Sequence, residues 1–330
     1  MHPGLVLLLA APGQGAQSPG FLAPWLELPG FAERIAAWSE IAGRDLARFG
    51  TTAGADEITD TSVAQPLLVV AAMAAAAELL GGLDEAARRV DATAGHSVGE
   101  LPAGVIAGVL TEADAMRLVA VRGRAMAAAS AAEPTGMTAV LGGDQAEVLA
   151  AIERHGLTPA NVNGAGQVVA AGRLADLAAF AQSPPAGARL RPLSVAGAFH
   201  TRHMEPAVAA LREAASAVHP ADPGLIVLSN ADGSVVRTGA DWLERIVAQV
   251  AAPVRWDLCM QAMTGLGVTA LIELPPAGTL TGLARRALAG VTGFGLRTPA
   301  DLDSARALLA EHGPAAAARQ LARPRPGAAT

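Results

Sequence analysis

Short apolar runs closed by turn residues recur along the chain, and they predict buried strands. Residues 5–11 (LVLLLAA) form the first run, and the turn PGQG follows at once. A run without polar alternation is typical of a parallel strand that is covered on both faces. The segments RRVDATAGHS, GLIVLSN and ALIELPP contain further runs of this kind. The pattern predicts an α/β fold with a parallel sheet.

Longer apolar stretches predict helices of the core. Residues 66–80 (PLLVVAAMAAAAELL) form the longest stretch, which is shorter than a membrane span requires and carries Glu78, so we expect a core helix. Residues 101–110 predict a second buried helix. The stretch TEADAMRLVAVRGRAMAAAS predicts a third, with Thr111 as its N-cap and Asp114 three residues on.

The pattern changes between residues 133 and 197, and it predicts a separate lobe. Strand, helix, hairpin, helix and strand follow one another, and the hairpin turns at residues 164–166. This β-α-β-β-α-β order is typical of a ferredoxin-like α+β subdomain. We therefore expect a large subdomain of residues 1–132 and 198–315, a small one of residues 133–197, and a Pro/Gly/Ala-rich tail without structure at residues 316–330.

Composition narrows the possible functions. The chain has 330 residues, 52% hydrophobic and 16% charged, which is enough for a large core. A net charge of -6 and an aromatic content of 3% argue against nucleic-acid binding. All 24 basic residues are arginine, which excludes a Schiff-base or P-loop lysine. The single Cys259 excludes an internal disulfide and fits a cytoplasmic protein, and we predict no signal peptide or transmembrane segment.

The segment GHSVGE at residues 95–100 fits the motif G-x-S-x-G. In this strand-turn-helix elbow a serine hydroxyl is exposed above a sheet, and the glycines permit the strained turn. The predicted strand before it and helix after it are the context that the motif needs. Ser97 is therefore a candidate nucleophile. The alternative is an ordinary glycine-rich turn in which Ser97 caps the following helix.

A nucleophilic serine needs a base, and the segment GAFHTRHMEPA offers two histidines. His200 follows a strand-like segment and precedes a helix, a position where catalytic loops lie over a sheet edge. His203 is the competing candidate, which the spacing does not exclude. His96 is next to the serine, but adjacent side chains diverge on a sharp turn, so we expect it at the rim of the pocket. No carboxylate stands out as a third member of a triad.

Arg122 is the most informative charged residue. It lies inside the apolar helix that begins near Thr111, whereas Arg117 and Arg124 are more easily placed on its solvated face. The pattern alone favours an arginine that extends its head group to the surface.

Several motifs in one order carry a resemblance to a known family. The chain resembles the malonyl-CoA:acyl-carrier-protein transacylases of bacteria, in particular actinobacterial ones, up to about residue 309. The motifs are PGQGAQ, GHSVGE, VRGRAM, NVNGAGQVVAAG, GAFH, QVAAPVRW and ELPPAGTLTGL. The resemblance implies an α/β-hydrolase-like core with a parallel sheet and an inserted ferredoxin-like subdomain.

The resemblance also implies a role for several residues. Ser97 is expected as the nucleophile and His200 as its general base and acid. The backbone carbonyl of Gln249 would orient the histidine in place of an aspartate. The backbone N–H groups of Gln14 and Val98 would form the oxyanion hole.

Three more residues are expected around the acyl group. Arg122 would bind the free carboxylate of the substrate, a bidentate match that gives selectivity for dicarboxylic acyl groups. Phe199, in the sequence AFH that goes with malonyl in related acyltransferases, would crowd a branched acyl group. Met126 would line the acyl pocket one turn beyond Arg122. For Phe199 and Met126, ordinary core packing is the alternative.

The resemblance implies a two-step transfer of malonyl from malonyl-CoA to the phosphopantetheine thiol of an acidic acyl carrier protein, in fatty-acid or polyketide synthesis. We expect no cofactor and no metal, and a monomer. The alternatives are a serine thioesterase or esterase on the same elbow and a non-catalytic lobe that binds carrier proteins.

Because the chain is itself net negative, binding of an acidic carrier protein would need local arginines. The candidates are Arg189, Arg191, Arg202, Arg285 and Arg286.

Overall fold

The computed structural model describes residues 5–195 and 197–314. The predicted tail at residues 316–330 lies outside the described residues.

The strands are β1 Leu7–Ala11, β2 Ala92–Gly95, β3 Thr135–Gly142, β4 Thr158–Gly164, β5 Gln167–Arg173, β6 Ala188–Pro192, β7 Ile226–Leu228, β8 Val235–Val236, β9 Ala270–Glu273 and β10 Thr292–Gly295. The helices are α1 Ala23–Leu26, α2 Phe31–Ala42, α3 Leu46–Thr51, α4 Ala55–Thr59, α5 Thr61–Leu80, α6 Ala86–Arg89, α7 Glu100–Ile106, α8 Glu112–Ala132, α9 Gln145–Arg154, α10 Leu174–Gln182, α11 Glu205–Ala215, α12 Gly239–Gln249, α13 Trp256–Gly265, α14 Thr279–Ala287 and α15 Leu302–His312.

The larger sheet has the strand order β10-β9-β1-β2-β7-β8. All of its pairings are parallel except that of β8, which runs antiparallel to β7 at the edge. Strand β1 (LLLAA) lies at the centre and is completely buried, as the unbroken apolar run predicts. The neighbouring strand β2 ends at Gly95, so the GHSVGE segment begins at the carboxyl end of this strand.

Helix α5 is a buried helix of the core, as predicted, but its predicted start at Pro66 is wrong. The helix begins at Thr61, where the side chain of Asp60 accepts a hydrogen bond from the N–H of Ser62, and it accommodates Pro66 in its interior. Its 20 residues are long and apolar enough to cross a membrane, yet 94% of its most apolar window is buried inside the fold.

Helices α7 and α8 follow the serine segment and build the wall behind it. Helix α7 ends at Ile106, earlier than predicted, because Gly108 adopts a left-handed conformation with φ 75°. Helix α8 begins at Glu112, and the side chain of Thr111 accepts a hydrogen bond of 3.0 Å from the N–H of Asp114. The predicted N-cap is therefore confirmed. Helices α5 and α8 pack against each other along their length.

The second sheet is antiparallel, with the strand order β4-β5-β3-β6. Its elements follow the predicted β-α-β-β-α-β order, and the hairpin between β4 and β5 turns at Ala165 with φ 49°. A separate core cluster that includes Val140, Ile152 and Phe180 packs under this sheet. Two backbone hydrogen bonds of 2.9 Å join strand β4 to Val254 of the larger part of the chain.

Candidate active site

Ser97 lies in a strained turn between β2 and α7. Its φ of 55° is in the left-handed region, which is unusual for a residue other than glycine. The flanking glycines are required by space. A Cβ atom at Gly95 would lie 1.9 Å from backbone atoms of Gly99, and one at Gly99 would lie 2.2 Å from the carbonyl oxygen of Ala11. The turn therefore presses against β1 and presents the serine hydroxyl beyond the ends of the strands.

His200 is hydrogen-bonded to the serine. Its Nε2 lies 2.7 Å from Ser97 Oγ, and its Nδ1 lies 2.8 Å from the backbone oxygen of Gln249. Because a carbonyl oxygen only accepts, Nδ1 carries the proton and Nε2 is left to accept one from the hydroxyl. Burial, together with the positive charge of Arg122, lowers the pKa of His200 to about 3. The imidazole is thus neutral at neutral pH, and its Nε2 can accept a proton from the serine hydroxyl.

The two competing histidines have other partners. His203 lies on the short turn just before α11. Its Nδ1 is 2.9 Å from a carboxylate oxygen of Glu133. His96 lies at the wall of the pocket, where its Nε2 is 2.9 Å from Asn163 Oδ1. The structure therefore brings His200, rather than His203, to the serine.

Arg122 is buried, with 2% of its surface exposed, and it faces the serine. Its Nη2 lies 3.3 Å from Ser97 Oγ, so the surface position that the helical pattern alone favours is wrong. Burial lowers the pKa of Arg122 to about 10, while the nearby Glu100 carboxyl opposes that shift. A pKa of this value keeps the guanidinium charged at neutral pH.

A cavity of about 560 Å³ opens above these groups, between the two sheets. Ser97, His200 and Arg122 line it together with residues of β4, β5 and α14. The remaining sequence candidates on its wall are Gln14, Val98, Met126 and Phe199. Gln249 lies behind the wall, where it contacts Arg122 and His200.

A buried polar network beneath the serine was missed by the sequence reasoning. Asn230, at the end of the GLIVLSN segment, accepts a hydrogen bond of 2.7 Å from the N–H of Ser97 and donates one of 2.7 Å to the carbonyl of Gly95. Glu100 accepts a hydrogen bond of 2.7 Å from the N–H of Asn230. Burial raises the pKa of Glu100 to about 8. The signal available in the sequence was the position of these polar residues directly after predicted strands and turns.

Comparison with known proteins identifies the family. The sequence profile of the acyl transferase domain matches residues 10–299. The malonyl CoA-acyl carrier protein transacylase of Mycobacterium tuberculosis is 53% identical over 298 residues, which are 90% of this chain and 98% of that protein. The chain belongs to the malonyl-CoA:acyl-carrier-protein transacylase family of acyltransferases. The Escherichia coli K12 transacylase is 34% identical over 303 residues, 89% of this chain and 96% of its own.

Solved structures of transacylases have the same fold as this chain. The crystal structure of MCAT from Mycobacterium tuberculosis superposes with a TM-score of 0.88 at 52% identity, covering 91% of this chain and 99% of that one. A type II PKS acyl-carrier protein in complex with its malonyl-transacylase, PlMCAT:AntF, gives 0.84 at 28% identity, covering 92% and 99%. The predicted α/β fold is confirmed, with its mixed sheet and its second, antiparallel sheet.

Proposed function

We propose that this acyltransferase moves a malonyl group from malonyl-CoA to the phosphopantetheine thiol of an acyl carrier protein through a malonyl-serine. One observation carries the proposal: the hydroxyl of Ser97 lies 2.7 Å from the neutral Nε2 of His200 and 3.3 Å from the guanidinium of Arg122. A nucleophile, its base and a buried cation thus meet in one cavity. This arrangement suits an acyl group that carries a free carboxylate.

In the first half-reaction, His200 Nε2 accepts the hydroxyl proton as Ser97 Oγ attacks the thioester carbonyl. The oxyanion that forms is bound by the backbone N–H groups of Gln14 and Val98, both at the cavity wall. The C–S bond then breaks, and the protonated imidazole returns the proton to the CoA thiolate. Gln249 accepts the hydrogen bond of His200 Nδ1 throughout.

In the second half-reaction the phosphopantetheine thiol takes the place of CoA. His200 accepts the thiol proton, the thiolate attacks the malonyl ester, and the proton passes to Ser97 Oγ as the ester bond breaks. One thioester is consumed and one is formed, so the transfer is close to isoenergetic and needs no cofactor.

Arg122 is proposed to bind the malonyl carboxylate in both half-reactions. A buried guanidinium without an anionic substrate keeps its desolvation cost, whereas a carboxylate compensates it through charge-assisted hydrogen bonds. Phe199 and Met126, at 6% and 1% exposure, would limit the space around the acyl group. Malonyl is then preferred over acetyl by charge and over branched acyl groups by shape.

The two-sheet architecture supports a finer description of the fold. The parallel sheet with its serine elbow has the character of an α/β-hydrolase-like core, and the antiparallel order β4-β5-β3-β6 has that of a ferredoxin-like subdomain. We propose boundaries near residues 132 and 198 for the small subdomain. A cytoplasmic monomer remains our expectation.

A basic groove suits the acidic carrier protein. Arg189 and Arg286 line a cavity of about 470 Å³ whose wall includes Gln167, and Gln167 also lines the cavity of the serine. A carrier protein bound on these arginines would therefore sit at the entrance through which its thiol must pass. Arg191, Arg202 and Arg285 are exposed but do not line this groove.

One assay tests the proposed function. Malonyl-, methylmalonyl- and acetyl-CoA are offered separately with a phosphopantetheinylated carrier protein, and acyl loading of the carrier is followed by mass spectrometry. We expect malonyl to load fastest by a wide margin. CoA release that proceeds equally fast with and without the carrier protein would instead support the thioesterase alternative.

A further inference from the structure

The guanidinium of Arg122 is held by two glutamine side chains. Its Nη1 donates a hydrogen bond of 2.6 Å to Gln65 Oε1, and its Nη2 donates one of 2.9 Å to Gln249 Oε1. Both glutamines are buried, at 2% and 5% exposure. In the described part of the chain, none of the ion pairs includes Arg122. Neutral amide oxygens therefore take the place that a carboxylate commonly takes beside a buried arginine.

The surrounding contacts fix which end of each amide faces the arginine. Gln249 Nε2 donates a hydrogen bond of 3.1 Å to the carbonyl of Ser97 and another to the carboxyl of Glu100, so Oε1 must point to Arg122. Gln65 Nε2 lies 3.3 Å from Met126 Sδ, which again leaves Oε1 for Arg122. Both amides are thus oriented as acceptors for the guanidinium.

We propose that Gln65, together with the side chain of Gln249, positions Arg122 without neutralising it and so preserves its charge for the carboxylate of the acyl group. The inference rests on the proposed function, and it assigns Gln65 as a positioning residue that sets selectivity for dicarboxylic acyl groups. An amide oxygen accepts a hydrogen bond as a carboxylate does but carries no formal charge. A carboxylate at the same place would form a buried ion pair with Arg122 and compete with the substrate.

The decisive variant is Gln65→Glu, which keeps an oxygen on Arg122 and adds one negative charge. We measure kcat and KM for malonyl transfer and for acetyl transfer from CoA to the carrier protein. The ratio of malonyl to acetyl kcat/KM should fall about 10- to 100-fold, the range expected when a hydrogen-bonded charge pair is lost. The fall should appear mainly as a higher KM for malonyl-CoA, while acetyl transfer stays equal or improves because Arg122 is no longer left without an anion.

Gln167→Glu is the matched control. It places the same charge on the wall of the same cavity, and Gln167 makes no hydrogen bond to Arg122. We expect it to lower the ratio far less than Gln65→Glu does. Equal falls in the two variants would mean that only the cavity's overall charge matters, which would overturn the proposal.

Gln65→Met separates positioning from a structural role, and it decides the question if the glutamate variant does not fold by circular dichroism. Losing the acceptor without adding charge should lower malonyl kcat/KM more than acetyl kcat/KM. Equal losses for both acyl groups in Gln65→Met, or an unchanged ratio in a folded Gln65→Glu, would overturn the inference. A wild-type enzyme that fails to load malonyl would instead overturn the proposed function, so the two failures are distinguishable.

Discussion

At the scale of single residues, the two side chains that we propose to react share an unusual backbone conformation. Ser97 and His200 have φ values of 55° and 61°, both in the left-handed region. Such conformations cost free energy of order 1–3 kcal/mol each and persist only where the surroundings fix them. Here the surroundings are the close packing of Gly95 and Gly99 and the hydrogen bond from His200 to Gln249. Strain is thus located at the two residues whose hydroxyl and imidazole we propose to react.

The charge of Arg122 gives the first prediction at this scale. Arg122→Ala should reduce kcat/KM for malonyl transfer about 30- to 5000-fold, as truncation of one partner of a buried charge pair costs about 2–5 kcal/mol. Acetyl transfer should fall much less, because acetyl makes no pair. Carrier loading from both CoA esters measures the two effects. Losses of the same size for malonyl and acetyl transfer would contradict a role of Arg122 in acyl-group selectivity.

The burial of His200 gives a second prediction. His200 must be neutral to act as a base. Because its pKa is lowered to about 3 from the ordinary 6.5, the pH at which the rate falls on acidification should lie well below the value expected for an ordinary histidine. The rate of malonyl-serine formation should therefore stay level between about pH 5 and pH 7. This window also lies below the pKa of about 8 for Glu100. Rapid-mixing measurement of CoA release tests it, and an inflection near pH 6.5 would contradict it.

Stability provides the control for that measurement. Below pH 6.5 the unfolded chain binds a proton at His200 and the folded enzyme does not, so the contribution of His200 to the free energy of unfolding decreases as the pH falls. The raised pKa of Glu100 acts in the opposite direction, because the folded enzyme keeps a proton there that the unfolded chain releases above about pH 4.5. Circular dichroism at each pH therefore separates loss of the folded enzyme from loss of the base.

The residues that could be predicted from sequence are those with a local motif. Ser97, His200 and Arg122 each stand in a short segment with a recognisable pattern, and the structure brings all three together. Gln65 and Asn230 carry no such pattern. They contact Arg122 and Ser97 across 57 and 133 positions of the chain, so only the folded arrangement shows which groups they hold.

At the scale of elements, the turn between β2 and α7 is determined by close contact rather than by propensity. Gly99→Ala should destabilise the protein by about 3 kcal/mol, the upper end for overpacking, because the new methyl would meet the carbonyl of Ala11 and backbone cannot easily move. Gly282→Ala is the matched control in the interior of α14, where a Cβ meets nothing within 4 Å. It should be neutral or stabilising by up to about 1 kcal/mol. Thermal unfolding of both variants tests this contrast, and similar midpoints would contradict it.

Sequence patterns predict the long apolar elements better than the short or polar ones. Strand β1 and helices α5 and α8 follow from apolar runs and a capping residue. Strand β10 (TGFG) has little apolar character and exists because it pairs with β9 at the edge of the sheet. The start of α14 depends on Glu273, whose carboxylate accepts hydrogen bonds from the N–H groups of Gly278, Leu280 and Thr281. The pattern of apolar and polar residues along the sequence does not reveal these hydrogen bonds.

At the scale of the whole molecule, the cavity exists because two sheets meet. The serine elbow follows β2 of the larger sheet, and the cavity wall also includes residues of β4 and β5. Backbone hydrogen bonds from Val254 to Ala160 and Val162 join the two parts. Val254 lies five residues after Gln249, so the segment that orients His200 is also the one that contacts the small sheet. The order of elements predicts both sheets, but their mutual placement follows only from the structure.

The distribution of charge predicts how the carrier protein binds. The chain has a net charge of -6, so attraction of an acidic partner needs local positive charge, and we propose that the groove lined by Arg189 and Arg286 supplies it. Arg286→Glu should raise the KM for the carrier protein several-fold and weaken its dependence on salt, without changing malonyl-serine formation. Arg88→Glu, a highly exposed arginine outside the groove, is the control for net charge. Equal effects of the two variants would contradict binding in the groove.

The most direct test of the account is the covalent intermediate itself. The wild-type enzyme and a Ser97→Ala variant are incubated with malonyl-CoA without carrier protein, and intact-mass and peptide mass spectrometry locate any malonyl group. We predict one malonyl ester on the peptide that contains residue 97, its transfer to the carrier protein when that protein is added, and no adduct on the variant. A malonyl adduct on Ser97→Ala, or loading of the carrier by that variant at the wild-type rate, would contradict it.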